Sequence, residues 1–110
     1  MEFKYSYKFT ETAAQDLDDI LHYINDDLCN QSAAKSFYND ILSNINNTRL
    51  FPLSGMLVRN EYLQDKSVRQ IVVGNYILYY IAKENEKTIY IVRIVYGKMN
   101  LEQIYLSIKD

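Results

Sequence analysis

Six side chains carry most of the chemistry that this sequence offers: Arg59, Arg69, Arg93, Tyr96, Lys98 and Tyr105. Arginine holds a phosphate in a bidentate fork, and tyrosine stacks on nucleobases. Such a set suits binding RNA and stabilising a phosphorane-like transition state without a metal. The competing reading is surface charge plus core aromatics, because tyrosine is common in half-buried sheets. No other chemistry is announced by spacing. There is no P-loop, dinucleotide fingerprint, zinc pattern or nucleophile elbow. His22 is the only histidine, with no second ligand at metal spacing, so neither a metal nor a cofactor is expected. Cys29 is the only cysteine, with no histidine nearby in sequence, and reads as an incidental small residue.

Most of the six sit in or beside residues 68–98, VRQIVVGNYILYYIAKENEKTIYIVRIVYGK. Three runs rich in Val, Ile and Tyr, separated by turn residues, predict a three-stranded antiparallel meander. Gly74-Asn75 suits a two-residue hairpin. That register puts Arg69, Ile71, Val73, Tyr76, Leu78 and Tyr80 on one face, and Gln70, Val72, Ile77, Tyr79 and Ile81 on the other. The second break is the polar run Lys83–Lys87. A five-residue loop there adds Tyr90, Val92 and Ile94 to the first face and Ile89, Ile91, Arg93 and Val95 to the second. A four-residue loop swaps them. Both faces are apolar, whereas small antiparallel sheets usually alternate. The second face needs a cover: the short C-terminal helix, a partner chain, or both.

The rest of the chain supplies layers. Residues 3–9 alternate, Phe3, Tyr5, Tyr7 and Phe9 against Lys4, Ser6 and Lys8, and predict a half-buried strand paired with the meander, four strands in all. A helix starts at Thr10 or Thr12, the latter with Gln15 in capping-box spacing. Its stripe is Ala13, Leu17, Ile20, Leu21, Ile24 and Leu28. Asn25-Asp26-Asp27 and Asn30 mark the junction to a second helix. That helix carries Ala33, Ala34, Phe37, Ile41 and Ile45, a stripe widened by Tyr38 and Leu42. The two form a helical hairpin over one sheet face. Phe51-Pro52-Leu53-Ser54-Gly55 ends the second helix. Residues 56–67 read as an irregular connection. Asn100 caps a last short helix with Leu101, Ile104, Tyr105 and Ile108 as its stripe.

The 110 residues, 48% apolar, make a single domain over 1–110 with chain enough to bury a core. No apolar run is long enough to span a membrane, the first residues lack a signal-peptide core, and the lone cysteine suits a reducing compartment. A cytoplasmic protein is expected. The net charge of −2 argues against a general nucleic-acid binder. Residues 1–48 hold three Lys/Arg and eight Asp/Glu; residues 49–110 hold nine and six. A polyanion, if bound, meets the sheet half.

Taken end to end, the chain resembles the RelE/ParE superfamily of bacterial type II toxins, the plasmid stabilisation protein type. The first helix matches A-x-x-D-L-x-x-I-x-x-Y-I as Ala13, Asp16, Leu17, Ile20, Tyr23 and Ile24. The second matches A-A-x-x-F-x-x-x-I as Ala33, Ala34, Phe37 and Ile41, and its end F-P-x-x-G as Phe51, Pro52 and Gly55. The meander matches V-G-N-Y and Y-x-I, then R-I-x-Y/H-G as Arg93, Ile94, Tyr96 and Gly97. The resemblance implies an α+β fold of order β-α-α-β-β-β-α: an antiparallel sheet, a helical hairpin on one face, and a short C-terminal helix. It implies a growth-inhibiting toxin silenced by a cognate antitoxin. It also implies one of two targets: DNA gyrase, poisoned by ParE-like members, or ribosome-bound mRNA, cut by RelE-like members through metal-independent acid–base chemistry. RelE-like nucleases have arginine where this chain has Ile77 and Met99, and many relatives have histidine at Tyr96. The missing cations weaken a phosphate grip, so ParE-like action is favoured. The alternatives are a ribosome-dependent endoribonuclease using Arg59, Arg69, Arg93, Tyr96, Lys98 and Tyr105, and an inactive relic that only binds a partner. Antitoxin binding is expected on the helices and on Ile77, Tyr79, Ile81, Ile89, Ile91 and Arg93, with acidic antitoxin residues meeting Arg69, Arg93 and Lys98.

Overall fold

A computed structural model describes residues 3–98 and 101–108. The expected capping role of Asn100 and the position of Met99 lie outside the described residues. Strand β1 (Ser6–Phe9) leads into helix α1 (Glu11–His22), which runs on through a π turn, Tyr23–Asp27. Helix α2 (Gln31–Leu50) follows, then strands β2 (Met56–Leu57), β3 (Arg69–Val73), β4 (Tyr76–Lys83) and β5 (Thr88–Tyr96), and helix α3 (Leu101–Ser107). The sheet has five strands in the order β1-β5-β4-β3-β2. β1 lies parallel to β5 and the other pairs are antiparallel. The strand count is one more than expected: Met56 and Leu57, in the segment read as irregular, pair with Gln70 and Arg69. Two residues carry no periodicity, so only the pairing partner reveals such a strand.

Local chemistry explains the boundaries. Thr10, not Thr12, caps α1, its Oγ1 accepting the Ala13 amide at 3.2 Å. Asn30 caps α2, its Oδ1 accepting from Ala33 at 2.9 Å. Gly74 takes φ +61 in the two-residue turn, where a type II′ hairpin requires its glycine. The predicted pairs Arg69–Tyr80, Ile71–Leu78 and Val73–Tyr76 form.

The second hairpin departs from the expected register. β4 runs through Lys83, so the loop has four residues, Glu84 to Lys87, with Lys87 left-handed at φ 49. Near the loop the faces therefore swap. Ile89 and Ile91 join the core under the helices, with Leu78, Tyr80, Ala13, Ile41 and Ile45. Tyr90 and Val92 join the opposite face. Between Tyr79–Arg93 and Tyr80–Ile91 the ladder shifts, leaving Val92 as an extra residue on β5. This bulge reverses the alternation, so Arg93, Ile94 and Val95 recover the faces expected of them.

The second face is covered by the chain itself. Ile104, Tyr105 and Ile108, with Val58, Leu63 and Val68 from the connection, bury Tyr79, Ile81, Val92 and Val95. The cover stops short of the β2–β3 edge, where Met56 and Val72 are 70% and 65% exposed and Ile77 is half-buried. No helix among the described residues is long and apolar enough to cross a membrane.

Candidate functional site: the cationic set and the groove of the helical hairpin

Arg93 is held by its own chain. Among the described residues no strand lies beside the outer edge of β5 beyond Phe9, and α1 begins there: Thr10 donates its amide to Ile91 O at 3.0 Å. One turn on, Asp16 takes the place of the missing strand. Its carboxylate accepts the Ile94 amide at 3.0 Å and two guanidinium N–H groups of Arg93 at 2.7 and 3.1 Å. The remaining arm of Arg93 donates to Ser107 Oγ at 2.7 Å. Both charged side chains are only 15% exposed. The arginine thus ties α1, β5 and α3 together, and its charge is neutralised in place.

Arg69 is similarly engaged. It projects from β3 on the helix-covered face and donates to the carbonyls of Gly55 and Leu53 at 2.8 and 3.2 Å. The same loop receives Tyr80, whose hydroxyl donates to Pro52 O and accepts the Gly55 amide, both at 2.9 Å. A Cβ at position 55 would stand 2.6 Å from the Tyr80 ring, so Gly55 is required for close approach as well as for breaking a helix.

The tyrosines separate. Tyr105 projects from α3 and is buried against the second face, its ring perpendicular to Tyr79 with centroids 5.6 Å apart. Burial, then the hydrogen bond with Tyr105, pushes the Tyr79 phenol well above its ordinary value. Tyr96 lies at the end of β5 on the opposite face, edge-on to Tyr76 at 5.7 Å, and is 40% exposed. Lys98 is exposed just beyond it, and Arg59 is exposed in the connection after β2. The six candidates are therefore not gathered into one pocket. They divide between two faces and an outlying loop, and Arg69 and Arg93 hold backbone or carboxylate.

Most of the expected antitoxin face is covered by the chain itself. Ile89 and Ile91 lie under α1 and α2 because the loop is one residue shorter than assumed. Tyr79 and Ile81 are covered by α3 and the connection, and Arg93 is bound to Asp16. Of its apolar members only Ile77 is half-exposed. Arg69 and Arg93, expected to meet acidic antitoxin residues, hold loop carbonyls and Asp16 within the chain.

A trench lies between α1 and α2. Two adjoining cavities of about 330 and 370 Å³ share Asp18, Leu21 and Tyr38. His22, Asn25, Ala34 and Lys35 complete one; Phe9, Ala14 and Leu17 complete the other. The sequence signal was the excess width of the two stripes. Leu17, Leu21 and Tyr38 are more apolar surface than one sheet face can cover. Among the described residues no group of three His, Cys, Asp or Glu side chains could hold a metal ion.

A family model described as the ParE toxin of type II toxin–antitoxin systems, parDE, matches residues 7–101. No curated protein matches the chain. Among solved structures, the chromosomal ParDE toxin–antitoxin system of P. aeruginosa is similar at 26% identity and a TM-score of 0.66, over 86% of this chain and 98% of that one. The toxin–antitoxin complex RelBE2 of Mycobacterium tuberculosis shares the fold at 20% identity and a TM-score of 0.58, over 84% and 98%.

Proposed function

The chain belongs to the ParE toxin family of type II toxin–antitoxin systems, and from that membership we propose that it arrests growth by binding an essential target such as DNA gyrase, rather than by cutting RNA. A cognate antitoxin silences it, and it acts in the cytoplasm. The observation that carries this reading is the closed ion pair of Arg93. A guanidinium that grips Asp16 through two N–H groups and Ser107 through a third is poorly placed to hold a scissile phosphate. Arg69, bonded to two loop carbonyls, gives the same support.

One observation favours the RelE-like endoribonuclease as a second reading: Tyr96 and Lys98 remain exposed at the open end of β5. Induction of the chain in a bacterial host separates the two readings. Gyrase-dependent DNA breaks without transcript cleavage at ribosomes are expected. The double variant Tyr96→Phe, Lys98→Ala, at exposed positions, should keep full toxicity. Loss of toxicity with intact folding would instead establish the nuclease, and no growth arrest on induction of the native chain would identify a relic.

A further inference from the structure

We propose that the β1 edge of the sheet, with the β4–β5 hairpin beside it, is a docking ridge for the phosphate backbone of duplex DNA. The inference goes beyond the toxin reading and does not depend on which target the chain arrests. It starts from where the positive charge is left over. Arg93 is bound by Asp16, and Arg69 holds two loop carbonyls. Lys8, Arg49, Lys83 and Lys87 gather instead at one edge, with Lys4 exposed just before β1. Among the described residues none of these five cations forms an ion pair. Aromatic rings hold three of them. The Arg49 guanidinium lies 3.8 Å from the centre of the Phe3 ring and 5.3 Å from that of Tyr7. The Lys87 ammonium stands 5.5 Å from the Tyr5 ring, and that of Lys83 5.4 Å from the Tyr90 ring. A carboxylate would orient a cation and cancel its charge; a ring orients it and leaves the charge for a phosphate.

The arrangement selects among anions. Tyr5 and Tyr7 pack into the core under the helices, and Tyr90 into the opposite core. Lys8 stands opposite Tyr90 in the β1–β5 register. Arg49 and Lys87 therefore lie on one side of the edge strand, and Lys8 and Lys83 on the other. A flat anionic surface such as a membrane meets one side only, whereas a grooved duplex presents phosphates to both. A single strand binds by stacking its bases on open ring faces. Here Tyr5, Tyr7 and Tyr90 are half-buried with cations over them. The ridge is not free of acid. Glu84 and Glu86 lie in the hairpin loop, where Glu86 accepts the Tyr90 hydroxyl, and Glu11 opens α1 beyond the other end of β1. Binding is therefore to backbone phosphates, weak and independent of sequence.

The test uses the full chain without antitoxin and a fluorescent DNA duplex of mixed sequence, followed by anisotropy. The native chain should bind it, and about four phosphate contacts should weaken binding about a hundredfold between about 50 and 200 mM salt. Lys8→Gln, Lys83→Gln and Lys87→Gln together should weaken binding about tenfold or more at the lower salt and make the salt slope shallower by about three. Lys8→Arg, Lys83→Arg and Lys87→Arg together should bind as the native chain does, which separates lost charge from lost structure. Circular dichroism confirms that each variant is folded. Native affinity in the glutamine variant overturns the proposal, and so does a native chain that ignores the duplex at low salt. Neither result touches the toxin reading, which growth arrest on induction decides. Tighter binding to single-stranded DNA or to anionic vesicles than to the duplex overturns it also, since the ridge then serves stacked bases or a flat surface.

Discussion

The two faces of the sheet have similar apolar content and unequal support. The first lies under two helices of 12 and 20 residues and is closed by the Tyr80 and Arg69 contacts to the loop after α2. The second lies under a seven-residue helix and an irregular connection, and its polar ties to α3 include Arg93 to Ser107 and Tyr79 to Tyr105. A helix that short has no stability of its own and exists by docking. Equal greasiness thus does not imply equal stability: the length of the covering element decides. Asp16 and Asp18 make the same point within one helix. The first is locked against a guanidinium and an edge amide, and the second faces an open trench.

The largest effect should follow from breaking the well-covered face. Tyr80→Ala removes a fully buried ring and both loop hydrogen bonds, and should cost about 3–5 kcal/mol in urea unfolding. Next is the tie that joins the faces. Asp16→Ala leaves Arg93 nearly buried without its carboxylate and should cost about 2–4 kcal/mol, most of which Asp16→Ala with Arg93→Met should recover. If the double variant is no better than the single, the cost lies in the lost Ile94 amide bond rather than in the stranded charge. On the thinly covered face, Ile104→Ala should cost about 2–3 kcal/mol. Amide exchange should show α3 opening ahead of β4 and β5; simultaneous opening would make the two faces equal after all.

The smallest effect is expected of Tyr79→Phe, under about 1 kcal/mol at neutral pH. It sharpens the comparison through its pH dependence. Burial raises the phenols of Tyr79, Tyr80 and Tyr76 above the ordinary value of 10.0. A folded pKa above the unfolded one gives a contribution that is complete below pH 10 and is lost as pH rises beyond it. Stability should therefore fall in alkali, and the fall should be shallower in Tyr79→Phe.

Much of this fold was legible in the chain. The stripes predicted both long helices and α3, Gly74-Asn75 set the first hairpin, and the polar run before Thr88 marked the second. The site was less so. Whether the second loop had four or five residues decided the faces of Ile89 and Ile91, and composition does not count loop residues. The bulge at Val92 leaves no mark on alternation until its partner strand is known. Arg93 reads as a free phosphate ligand because its carboxylate, Asp16, lies 77 residues away.

By itself the sequence determined which elements exist, since periodicity, caps and turn residues are local properties of neighbouring side chains. It also determined that the helical half is acidic and that both sheet faces are apolar. Only the tertiary structure decided which cations stay available, which apolar face the chain covers for itself, and where an uncovered groove remains. Those outcomes depend on distances between residues far apart in the chain, and no local pattern encodes them.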